Sequence, residues 1–111
     1  ENIPSPNTLF AASTSTTKSK TTYFKNKNNE TLWYVKVTGT FTYDGTTSRC
    51  LSVTPAAQSY VSAWKTSDLT GNKSLNTATA SAVGKLYADG VVVQTVARSV
   101  TLTCSPTGVF S

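Results

Sequence analysis

The sequence predicts an all-β, antiparallel β-sandwich, and three observations carry that prediction. From residue 18 onward apolar and polar residues alternate with period two, enriched in β-branched and aromatic types. No window sustains the 3.6-residue repeat of an amphipathic helix. Turn signals punctuate the alternation at short intervals, including Asp-Gly pairs at Asp44-Gly45 and Asp89-Gly90. The 111 residues make one domain with a single two-layer core. A small barrel is the alternative closure of the same strands.

The elements follow in order. Residues 1–17 are rich in Pro, Ser and Thr; Pro4 and Pro6 interrupt any regular element, and Leu9 and Phe10 are large enough to dock a strand. They read as an N-terminal tail or a docked strand, with the sandwich proper spanning 18–111. Thr21–Lys25 reads as a short strand and Lys27-Asn28-Asn29-Glu30 as a polar turn. Leu32–Tyr43 alternates most clearly. Trp33, Val35, Val37, Phe41 and Tyr43 fall on one face; Tyr34, Lys36, Thr38, Thr40 and Thr42 fall on the other, which is expected to be wet. Gly39 interrupts the apolar face, where a bulge or a close approach is expected. Arg49–Thr54 returns as a strand that Pro55 is expected to end. Gln58–Thr66 is read as the next strand, with Tyr60 and Trp64 on one face, and Ser67–Asn76 as a polar loop. Thr77–Ala88 sets Ala78, Ala80, Ala82, Gly84 and Leu86 against a polar face that includes Tyr87. Val91–Cys104 drifts in register, and a bulge near Ala97–Ser99 is expected to turn Arg98 outward.

Composition excludes several activities. The chain has no His, so it lacks the usual acid–base group of neutral pH and an imidazole metal ligand; neither a catalytic site, a metal nor a cofactor is expected. Among its five acids, Asp44 and Asp89 are accounted for by their turns. No apolar run approaches the roughly 20 residues of a membrane span. The 21 Thr and 14 Ser suit wet strand faces and hairpin loops. The two cysteines, Cys50 and Cys104, match no zinc or redox spacing. In a short hydroxyl-rich chain their even count suggests one Cys50–Cys104 disulfide and an oxidising compartment, with two buried free thiols as the alternative. A secreted or surface protein, its signal peptide removed, is the matching expectation.

The succession Cys50, Trp64, Cys104 resembles the immunoglobulin pattern, in which a Trp packs on the disulfide joining two sheets. That resemblance implies an immunoglobulin-like sandwich. It departs from the family at Leu102, where a corner Tyr is usual, and in the short segment after Cys104. The stretch from Leu32 to Ser111, with VTGTFTYDGTTSRC, Trp64-Lys65 and SVTLTCSPTGVFS, also resembles small uncharacterised secreted proteins of Gram-positive bacteria. This second resemblance implies a secreted or surface location and no particular activity.

Two surfaces are candidates for binding. One is the wet face around Tyr34 and Lys36, with Tyr87. The other is the basic segment Lys18, Lys20, Lys25 and Lys27 around Tyr23 and Phe24, in a chain of net charge +5. Lysines on such a segment also serve to protect a sheet edge from pairing. Together these point to a non-catalytic secreted or cell-surface binding or structural module, with a carbohydrate-binding module using exposed aromatics as the alternative. The partners expected are an anionic envelope polymer, a glycan or another surface protein. Nucleic acid is not expected, because Arg49 and Arg98 are too sparse to read bases. The chain is expected to be a monomer or a weak dimer.

Overall fold

The computed structural model describes residues 14–111, all strand, turn or irregular connection. Six strands follow one another: β1 (Thr14–Lys25), β2 (Thr31–Tyr43), β3 (Ser48–Ser59), β4 (Trp64–Ser74), β5 (Thr77–Ala88) and β6 (Val91–Thr103). They form two antiparallel three-stranded sheets, β1-β2-β3 and β4-β5-β6, with β2 and β5 at the centres. β1 begins four residues before the expected domain start at 18, so part of the supposed tail is strand. Leu9 and Phe10, read as a docking segment, lie outside the described residues.

The core lies between the central strands. β2 contributes Trp33, Val35, Val37 and Phe41, and β5 contributes Ala78, Ala80 and Ala82, all buried. Both sets come from the alternation that the sequence displays, because successive side chains point to opposite faces. Gly39 is a point of close approach: a Cβ there would lie 2.6 Å from the Phe41 ring and 3.1 Å from the Ala78 Cβ. The register between β2 and β3 also shifts beside it, between Thr40 and Phe41. Asp89-Gly90 forms the expected tight turn, with positive φ at both residues (53° and 78°).

Four expectations about the strands are corrected. Pro55 does not end β3; it lies within it, opposite Val37. An edge strand accommodates proline because its missing N–H can face outward from the ladder. Ser67–Asn76 is not a loop, since most of it is β4. As an edge strand β4 turns little toward the core, so its sequence is polar and lacks alternation. The loop falls instead at Tyr60–Ala63, inside the segment read as a strand, and Trp64 and Tyr60 do not share a strand face. β6 has its register shift opposite Leu86/Tyr87 and none at Ala97–Ser99. Arg98 shares the inward side with Val96 and Val100. It reaches solvent because β6 is a rim, where its guanidinium lies over the Phe24 ring at 5.2 Å.

The cysteines are also corrected. Cys50 and Cys104 are buried free thiols, and no disulfide joins them. The physical reason is the Leu75-Asn76 turn between β4 and β5, which is held between the two. The Cys50 N–H donates to the Leu75 carbonyl (2.7 Å) and the Cys104 N–H to the Asn76 carbonyl (3.0 Å). Each thiol turns to a nearby carbonyl, Cys50 Sγ to Ser52 O and Cys104 Sγ to Ser105 O, both at 3.3 Å. Burial pushes both thiols above the ordinary range; for Cys50 a backbone hydrogen bond at Ser52 and the Lys73 charge act in the opposite direction. An oxidising compartment therefore loses the support that a disulfide would have supplied.

Immunoglobulin order interleaves two sheets through Greek-key connections. Here one sheet is complete before the other begins. The resemblance thus extends to two packed antiparallel sheets and not to strand order. Trp64 packs on Phe24, with ring centroids 5.1 Å apart, and no disulfide lies beside it.

Candidate binding surface

The hairpin of β1 and β2 generates the most distinctive surface feature. Asn26 shapes its turn: Oδ1 accepts from the backbone N–H of Asn28 (2.8 Å) and Glu30 (3.0 Å). The register that follows sets Tyr23 opposite Tyr34 and Phe24 opposite Trp33. Residues directly opposite share a face. Phe24 and Trp33 therefore go inward, while Tyr23 and Tyr34 stand on the outer face.

Tyr60, just beyond β3, extends this pair into a row of three rings. The Tyr23–Tyr34 centroids are 6.2 Å apart and the Tyr34–Tyr60 centroids 5.8 Å, both pairs tilted. These spacings lie in the favourable range for aromatic pairs. The outer two rings are accessible, Tyr23 at 52% and Tyr60 at 59%, while the central Tyr34 is partly buried between them. Gln58, opposite Tyr34 on β3, accepts the Tyr34 hydroxyl at 3.3 Å. A depression of about 190 Å³ is lined by Thr21, Tyr23, Tyr34, Lys36 and Tyr60. Lys25 lies over the Tyr23 ring at 5.9 Å, within cation–π range. The surface is shallow, aromatic at its centre and cationic at its margin, with no carboxylate among its lining residues.

The structure divides the candidate residues. Tyr34, Lys36 and Lys25 come together on the outer face of the first sheet. Lys18 and Lys20 do not join them. They stand opposite Gly39 and Val37, on the side of β1 that faces the core, and reach solvent over the rim. Inward-pointing lysines at an edge impede pairing with another strand. Lys18 also lies over the Phe110 ring at 5.8 Å. Lys27 is exposed in the β1–β2 turn. Tyr87 is on the other sheet, opposite Val92, and does not extend the row. Sequence reasoning placed Tyr23 among the lysines without assigning it to this face, and it missed Tyr60 as a member. A hairpin folded about the Lys27–Glu30 turn would have put Tyr23 opposite Tyr34; nothing comparable marks Tyr60.

Other depressions carry less chemistry. One of about 430 Å³ lies at the β2–β3 loop beside Asp44, Thr47 and Arg49. Its carboxylate is engaged by the loop: Asp44 Oδ1 accepts from the backbone N–H of Thr47 (2.7 Å) and Thr46 (2.9 Å). Those bonds hold its carboxyl below the ordinary aspartate value of 3.8. The other described acids are scattered, with Glu30 and Asp89 in turns and Asp68 at the β4 bulge. Among the described residues no group of three His, Cys, Asp or Glu could hold a metal ion, and no helix is long and apolar enough to cross a membrane. Comparison of the chain with family models, with curated proteins and with solved structures finds no match.

Proposed function

We propose that this protein is a non-catalytic binding module, secreted or displayed at the cell surface, that holds a negatively charged glycan on the Tyr23–Tyr34–Tyr60 row. The observation that carries this reading is the continuous file of three tyrosine rings across one sheet face, two of them exposed. A tyrosine presents an apolar ring with a polar tip, which suits a ligand with an apolar face and hydroxyls at its rim. A pyranose has that form. Lys25 and Lys36 at the margin and the net charge of +5 favour a carboxylated or otherwise anionic chain over a neutral one. An anionic envelope polymer belongs to this class. The hydroxyl-rich composition and the resemblance to small secreted proteins of Gram-positive bacteria support an extracellular location. The scattered placement of the described acids favours binding over catalysis.

Calorimetric titration against matched neutral and acidic polysaccharides tests the proposal. Binding to the acidic member is expected at about 0.02 M salt, weakened at about 0.5 M because exposed charges are then screened. Tyr34→Ala should weaken it by roughly tenfold or more, the scale of a lost aromatic contact of about 1.5 kcal/mol. No heat with any member of the panel, or unchanged affinity in Tyr34→Ala, would contradict the proposal.

A further inference from the structure

We infer that the edge of β6, unpaired among the described residues, is a strand-addition surface, and that its occupant is a second copy of this chain paired antiparallel across Val92–Val100. The inference rests on a comparison of the four outer strands, because an edge strand offers unpaired N–H and C=O groups unless something blocks them. β1 is blocked by Lys18, Lys20 and Lys25 within its twelve residues. β3 contains Pro55, which removes a donor. β3 and β4 also close on one another: a Cβ at Gly71 would meet the Pro55 ring at 2.8 Å, and Lys73 Nζ donates to the Leu51 carbonyl at 2.7 Å. β4 is further interrupted by a register shift between Ser67 and Thr70.

β6 carries fewer of these protections, with one charge, Arg98, and no proline. Its far end is covered by the segment that returns to Ser111, where Thr103 and Ser111 exchange two backbone hydrogen bonds of 3.0 Å. From Val91 to Ala97 there is neither charge nor proline, and Val91, Val92 and Val93 are 61%, 40% and 58% exposed. The register shift at Leu86/Tyr87 lies beside Val93, so Gln94–Thr103 forms the regular part of the strand.

Self-pairing suits this sequence. A two-fold axis at Val96 sets Thr95 opposite Ala97 and Gln94 opposite Arg98, so the strand's one charge meets a neutral hydrogen-bonding side chain. The same operation on β1, centred at Ser19, would set Lys18 against Lys20. A closed two-fold contact of this kind uses one patch on both copies and joins the two three-stranded sheets into one of six strands.

Sedimentation equilibrium from about 1 μM to about 1 mM protein tests the inference. A concentration-dependent dimer is expected. Thr95→Lys and Ala97→Lys, both at exposed outer-face positions, should each raise its dissociation constant by roughly tenfold or more, since the two introduced lysines then stand as diagonal neighbours on one face across the two-fold axis. Ser19→Lys on β1 should leave it unchanged. Circular dichroism melting of each variant establishes that the fold is retained. A monomer throughout the range, or a dimer insensitive to both β6 lysines, would overturn the inference.

Discussion

The two central strands have the same period and opposite content. On its core-facing side β2 carries Trp33, Val35, Val37 and Phe41; β5 carries Ala78, Ala80, Ala82 and Gly84. Large side chains of one sheet enter the space left by small ones of the other. Gly84 shows how close this is, because a Cβ there would lie 2.3–2.7 Å from three atoms of the Trp33 indole. The outer faces differ as well. Both are rich in threonine and serine, yet only the first sheet's face carries the row of tyrosines. Alternation therefore makes each strand two-sided, while side-chain size decides how the sheets dock and aromatic content distinguishes the two outer faces.

That contrast can be broken at several points. Trp33→Ala should have the largest effect on stability, about 3–5 kcal/mol by chemical denaturation, because a buried indole is replaced by a cavity. Gly84→Ala should cost about 1–3 kcal/mol through overpacking against the same ring. Thr79→Ala, on the outer side of β5, should stay within about 0.5 kcal/mol. Such a hierarchy across the two strands would establish that the small residues of β5 are required by the large ones of β2.

The thiols give a prediction that needs no variant. Held protonated and buried, Cys50 and Cys104 should react slowly with a thiol reagent in the native protein and rapidly, both of them, after unfolding without reductant. Intact mass should not change on reduction. A gain of two hydrogens would restore the disulfide.

The smallest effect concerns pH. The Asp44 carboxyl is lowered in the folded state by the backbone N–H groups of Thr47 and Thr46. Its contribution to stability is thus present above the unfolded aspartate value of about 3.9 and lost as pH falls through the lower folded value. An NMR titration of the Asp44 carboxyl should place its midpoint below that value, and Asp44→Asn should flatten the acid limb of the stability profile.

Much of the fold was legible in the sequence where a strand has one wet and one dry face. β2 and β5 are central strands, so their alternation is complete and their faces were assigned as the structure shows them. The edges were harder. β4 has few core-facing residues and a bulge, so its polarity imitates a loop, while the tolerance of β3 for Pro55 depends on its place at a rim that the sequence does not display. The cysteine pairing depended on what lies between the two residues, and the Leu75-Asn76 turn is brought there only by the packing of the second sheet. Of the proposed binding surface, Tyr34 and Lys36 were legible from β2 alone. Tyr23 required the hairpin register, and Tyr60 required the path of the chain after β3.

The central claim is that the tyrosine-bearing face of the first sheet is the functional surface and the threonine-bearing face of the second is not. Backbone amide chemical-shift mapping with an acidic oligosaccharide tests this most directly. The predicted result is a contiguous set of shifts at Tyr23, Lys25, Tyr34, Lys36, Gln58 and Tyr60, with Thr79, Ser81 and Thr101 unmoved. Shifts centred on the second sheet's outer face, or none on either face at saturating ligand, would contradict it.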